Sequence, residues 1–140
     1  MAAIDGTVLI HCEDDNITVV NEQRLKAEGR TDYLSHAEWR SLLAEKVAVE
    51  AVLTVAMETG ARVVIAHASH PEILAKIKKV RDKGYRVYAE SCPHYFYLTL
   101  ADLEKKGPWV KFTPAIRMPS EEDLALMWEM FNAGYVTTIG

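Results

Sequence analysis

Two cysteines in 140 residues, Cys12 and Cys92, are too few for a disulfide framework. No apolar stretch approaches the length of a membrane span. The opening residues, MAAIDGTVLI, lack the basic region and long apolar core of a signal peptide. Together these absences predict a reduced, cytoplasmic protein. Excess positive charge is also missing. The formal net charge is −4, which excludes bulk electrostatic attraction to nucleic acid or to an anionic membrane surface. There is no Gly-rich phosphate loop, so nucleotide binding has no support. No low-complexity segment, charge block or Gly/Ser linker divides the chain, so residues 1–140 are expected to form a single domain. A hydrophobic content of 49% is ordinary for a globular protein and gives that domain a real core.

What is present is an order of elements. TVLIH, residues 7–11, is a β-branched apolar run that predicts a buried strand. The polar stretch after it reads mainly as a long connection, with a short helix near 18–28. Residues 36–59 predict the strongest helix, opened by a Ser35–Glu38 capping box and ended at Gly60. RVVIAH, 62–67, predicts a second strand. Pro71 suits the first turn of a helix over 71–83. RVYAES, 86–91, is a third strand. A short helix from Thr99 to Lys106 stops at Gly107, and WVKFTPAIR reads as extended and then broken by proline. Ser120 with Asp123 caps a helix of about 121–133, ended at Gly134, and YVTTIG begins a fourth strand. Strands alternating with helices predict an α/β fold with a parallel sheet. In such folds reactive groups sit at the C-terminal ends of the strands.

His11 and His67 each end an apolar strand, so a parallel sheet brings both to one mouth. Neutral imidazole is a common zinc ligand, and two from neighbouring strands can share one ion. A strand-end histidine can equally cap its strand by hydrogen bonding to a loop, and the residues alone leave both readings open. His70, beside Pro71, is placed to satisfy free N–H groups at a helix start. Glu90 and Ser91 also end a strand. Cys92-Pro93-His94 lacks the contact a Cys/His nucleophilic pair requires. A structural zinc site built from His11, Cys12, Cys92 and His94 lacks the paired spacing of zinc modules. The acids of EDDN, 13–16, either orient a metal-bound histidine or are solvated loop acids. Arg117, at the end of TPAIR, is either a clamp for an anionic or carbonyl-rich substrate or a surface arginine.

VLIHCEDD, RVVIAHAS, VYAESCPHYFYLT and KFTPAIRMPSEEDLALMWEMFNAGYVTTIG, in that order, resemble the cyclic amidohydrolases: the hydantoinase/dihydropyrimidinase, allantoinase and dihydroorotase group of the amidohydrolase superfamily. The resemblance covers nearly the whole chain. It implies part of a (β/α)8 barrel, namely the second half, strands five to eight. It implies that His11 and His67 are the metal ligands ending strands five and six, in a centre that is usually binuclear zinc. Thr113 of TPAIR matches a position whose backbone contacts the cyclic amide substrate. CPHY and K-x-x-P-x-I-R lean toward allantoinase, and HCED toward dihydroorotase.

Other family features have no counterpart here: the His-x-His after strand one, the bridging lysine of strand four, and the aspartate after strand eight that serves as catalytic base. No catalytic residue is therefore assigned. The resemblance implies a fragment of a hydrolase opening a cyclic amide (hydantoin, allantoin or dihydropyrimidine type), inactive by itself. The partners expected are that small molecule and, through the open edges of a half-barrel, a second copy in a homo-oligomer. Two rival expectations stand beside it. One is a non-catalytic half-barrel module that oligomerises. The other is a small α/β metal-binding protein with a third ligand from Glu90 or His94.

Overall fold

The structure, a computed structural model, describes residues 1–140. Four strands, β1 (Thr7–Ile10), β2 (Arg62–Ile65), β3 (Val87–Ser91) and β4 (Thr138–Ile139), form one sheet in the order β1-β2-β3-β4. Every pairing is parallel: Leu9 lies opposite Val64, Val64 opposite Tyr88, and Glu90 opposite Thr138. The expected alternation of strands and helices is thus the observed architecture, as in half of a (β/α)8 barrel. The helices are α1 (Asp15–Ala27), α2 (Ser35–Trp39), α3 (Leu42–Thr59), α4 (Pro71–Arg81), α5 (Leu100–Lys106) and α6 (Glu121–Asn132). None is long and apolar enough to cross a membrane.

Side chains alternate across a strand, and this sorts the two faces of the sheet. Val63, Ile65, Val87 and Ala89 point to the helices and are fully buried. They pack with Val49 and Leu53 of α3, with Ile73, Leu74 and Ile77 of α4, and with Met127 of α6. Each of these large side chains contributes roughly 1.5–3 kcal/mol by leaving water. On the opposite face Val64 and Tyr88 are only half-buried, and Leu9 is 60% exposed. The sheet therefore has one dry face and one open face.

Helix ends largely follow local chemistry. Gly60 ends α3 at φ 68°, a conformation that a side chain resists. Thr99 and Asp102 form a reciprocal capping box on α5. The Ser120 side chain accepts from Asp123 N and opens α6.

Three expectations are corrected. The stretch after β1 is a full helix of 13 residues, opened by the Asp14 carboxylate accepting from Ile17 N at 2.9 Å. The long helix after it is broken at Arg40–Ser41 into α2 and α3, and there is no Ser35–Glu38 capping box. Ser35 Oγ donates instead to the Asp32 carbonyl at 2.6 Å. The segment after α5 also differs in part, with a 3-10 turn over Gly107–Val110 that takes in Trp109 and Val110, where extended chain is expected.

Candidate metal centre

His11 follows β1 and His67 follows β2, and the parallel register brings the two rings together. His11 Nδ1 lies 2.8 Å from His67 Nε2, with the ring centroids 4.7 Å apart and edge-on. His67 holds φ 41°, a left-handed conformation that costs a residue with a side chain roughly 1–2 kcal/mol. Contacts from β3 hold it there. His67 N donates to Glu90 Oε2 at 3.0 Å, and Ala68 N donates to the Glu90 carbonyl at 2.8 Å. Burial and the neighbouring His11 both oppose protonation of His67, so its pKa is held below the ordinary histidine value.

The other sequence candidates fall elsewhere. His70 opens α4, its Nδ1 accepting from Glu72 N at 3.3 Å. That is a helix-capping role. His94 stacks on Phe112 at 4.1 Å and does not join the pair. Glu90 is engaged by the His67 amide. Cys12 is buried in the core, and burial pushes its thiol up to about 12, which removes it as a nucleophile at neutral pH. Cys92 is unpaired as well. Thr113 makes its polar contact with His36 Nε2, at 3.5 Å, and not with the histidine pair.

Beneath the pair lies a charge network that the residues alone do not announce. Glu13 Oε2 is 3.1 Å from His11 Nε2, on the far side of the ring from His67. Glu13 is also paired with Arg40 and Arg117. Arg117 is neither a surface arginine nor a free clamp: its side chain is 2% exposed. It donates from Nη1 to Glu45 Oε2 and to Ser69 Oγ, and from Nε to the Arg40 carbonyl, each at 2.8 Å. Ser69 N also donates to Glu45 Oε1 at 3.0 Å. Burial resists ionisation of Glu13, yet Arg40, Arg117 and His11 outweigh it and hold its carboxyl below the usual range. Glu45 goes the other way, raised by burial that Arg117 only partly offsets. One readable signal was present: Arg117 sits inside the run Ala115, Ile116, Met118, all buried.

In kind and direction the two imidazoles suit a zinc ion. Two nitrogens on one tetrahedral zinc, each about 2.05 Å from it, lie about 3.3 Å apart. The observed 2.8 Å needs to open by only a few tenths of an ångström. They supply two ligands, and no group of three His, Cys, Asp or Glu side chains is arranged to hold a metal ion anywhere in the chain.

No family model matches the chain. An L-hydantoinase of Paenarthrobacter aurescens is 29% identical over all 140 residues, which span 30% of that protein. An allantoinase of Salmonella paratyphi B is 35% identical over 133 residues, 94% of this chain and 29% of the relative. The solved structure of L-hydantoinase (dihydropyrimidinase) from Arthrobacter aurescens superimposes with a TM-score of 0.92 at 28% identity, covering 99% of this chain and 30% of its own. A dihydroorotase structure from Campylobacter jejuni, at 16% identity and a TM-score of 0.68, shares the fold. The chain thus spans about 30% of the length of the relatives it matches.

Proposed function

We propose, starting from this homology to the cyclic amidohydrolases, that the chain is the strand-five-to-eight segment of a metal-dependent hydrolase that opens a cyclic amide of the hydantoin, allantoin or dihydropyrimidine type. The observation that carries the reading is the approach of His11 Nδ1 to His67 Nε2 at the ends of adjacent parallel strands. His11 and His67 would hold one zinc ion, which when bound supplies Lewis acidity for activating water. Thr113 would lie along the ring of the substrate. Residues 1–140 act in this reading as one partial barrel domain, and the two free cysteines suit a reducing, cytoplasmic setting.

The chain's own residues do the holding. Glu90 fixes the backbone of His67, and β1 and β2 set the spacing of the two rings. Two imidazoles fill half of a tetrahedral shell, and no side chain at the pair is free to accept a proton from water. The 140 residues are therefore expected to bind zinc weakly and to hydrolyse no cyclic amide by themselves. Equilibrium dialysis with zinc checks this. His11→Ala and His67→Ala should each weaken binding tenfold or more, on the order of the loss of one ligand. Binding that is unchanged in both variants would sink the assignment.

A second reading, a non-catalytic half-barrel that assembles with its own copies, draws support from the two open edges. Beside β1 lies a groove of about 280 Å³ lined by Val8, Ile10, Val52, Val55 and Val63. Beside β4 lies a smaller one lined by Phe96, Tyr97, Trp128, Phe131 and Ile139. Apolar edges of this kind favour association. This reading expects a dimer or larger particle in sedimentation equilibrium at micromolar concentration; a strict monomer rules it out.

A further inference from the structure

We propose that Glu13 is a positioning residue for His11, locked in place by the buried guanidinium of Arg117, and that it fixes which ring nitrogen His11 turns toward His67. The inference rests on the reading of His11 and His67 as ligands of one ion.

His11 needs such a partner. Its side chain is 48% exposed, so packing alone leaves the ring free to turn. Glu13 has the opposite character: its side chain is 3% exposed, and a buried carboxylate is stable only when paired. Its pairs are Arg40 and Arg117. Arg117 cannot follow a moving partner, because its other donors are occupied by Glu45, Ser69 and the Arg40 carbonyl. The carboxylate is thus a fixed acceptor beside His11 Nε2. A carboxylate there favours the ring proton on Nε2 and leaves the Nδ1 lone pair facing His67.

The same guanidinium joins three segments that the fold brings from far apart. Glu13 lies two residues after His11, and Ser69 two residues after His67. Arg117 ends the segment that carries Thr113. One buried ion therefore sets the relative placement of both histidines and the Thr113 segment, where flexible loops would leave them loose.

Long-range proton–nitrogen correlation spectra of the histidine-labelled, metal-free chain test this directly, at a pH where the imidazoles are neutral. His11 should be found mainly as the Nε2–H form. Glu13→Gln keeps the shape and removes the charge. It should turn His11 into a mixture of tautomers and weaken zinc binding in equilibrium dialysis roughly 10–100-fold. Arg40→Gln, at a position 24% exposed that leaves the Arg117 pairing in place, should fold in any case and shift both readouts in the same direction by less. An unchanged His11 tautomer in whichever variants fold overturns the proposal. The two readouts separate the claims. A tautomer shift in a chain that binds no zinc keeps the positioning role and removes the metal reading. Zinc binding with no tautomer shift does the reverse.

Discussion

Arg117→Ala is expected to lower the folding free energy by about 3–5 kcal/mol, the range for breaking a buried ion pair from one side. The loss comes from what the arginine leaves behind. Glu13 and Glu45 are each 3% exposed, and both lose a charged donor. The Arg40 carbonyl and Ser69 Oγ lose donors as well. Glu45 relieves part of its own penalty, since burial already raises its pKa and it can take up a proton. Glu13 keeps Arg40, which limits its share. Arg117→Met separates charge from volume: it refills the space, still leaves Glu45 without its charged partner and Glu13 with Arg40 alone of its two arginines, and should lose nearly as much as alanine. Adding Glu45→Gln to Arg117→Met should recover about 1–2 kcal/mol, because the amide no longer buries a charge. Urea denaturation of the four proteins measures each figure. A loss below about 1 kcal/mol for Arg117→Ala would show that water reaches the network and that its burial is nominal. For a domain whose total stability is about 5–15 kcal/mol, the expected loss is a large fraction of what holds the fold together.

That network also marks where reading the sequence stopped. The strands were legible because β-branched runs such as TVLI and RVVI favour extended chain, but only the second is buried as expected: Val63 and Ile65 of RVVI are covered, whereas the edge run TVLI has no buried residue and Leu9 is 60% exposed. His11 and His67 follow from the strands, since a parallel sheet in register must bring equivalent strand ends together. Glycine and proline punctuation placed the ends of α3 and the start of α4 for reasons local to the backbone. The first helix reads only as a short one near 18–28, three residues late at its start, because it has almost no apolar stripe: Leu25 is its single buried residue. It is held from outside, by the Asp14 cap and by Asn21 Nδ2 donating to the Trp39 carbonyl at 3.3 Å. The break at Arg40 carries no glycine or proline. Its cause is a partner 77 residues away, because the turn aims the Arg40 carbonyl at Arg117 Nε. Glu13 and Arg117 are 104 residues apart, and Glu45 and Arg117 are 72 apart. The residues alone leave Glu13 between a loop acid and a partner for a metal-bound histidine, and Arg117 between a clamp and a surface residue; only the fold makes them neighbours. Glu45 does keep a faint trace: it shares a helical face with Val49, Leu53 and Ala56, all buried.

Stability is also expected to fall steeply between pH 6.5 and 4, and His36 supplies a large part of the slope. The residue is 6% exposed, packed beside Trp39 and within 3.5 Å of Thr113 Oγ1. Burial disfavours the imidazolium, the positive charges of Lys111, Arg40 and Arg117 add to this, and Glu13 offsets part of it. The result is a pKa pushed down to about 4. In the unfolded chain the ring titrates near its ordinary value of about 6.5. Above that pH both states hold a neutral ring and the full stability is present. As the pH falls below it, the unfolded state takes up a proton that the folded state refuses until about pH 4. Stability therefore drops by up to about 1.4 kcal/mol per pH unit, or on the order of 3 kcal/mol across the window. His67, His70 and His94 are lowered by burial too and act in the same direction. Asp102 does not compete in this range: the Thr99 backbone bond and Lys106 hold its carboxyl down to about 2, so its contribution is lost below the window, as the pH falls from the ordinary value of 3.8 to about 2. Urea denaturation at pH 7.5 and 4.5 compares the wild type with His36→Gln, whose amide fills the site without titrating. The variant should lose about 2–3 kcal/mol less than the wild type between the two conditions. Parallel losses in both proteins would mean that His36 can be protonated in the folded chain. The contact between the start of α2 and Thr113 would then open to water in mild acid instead of staying closed.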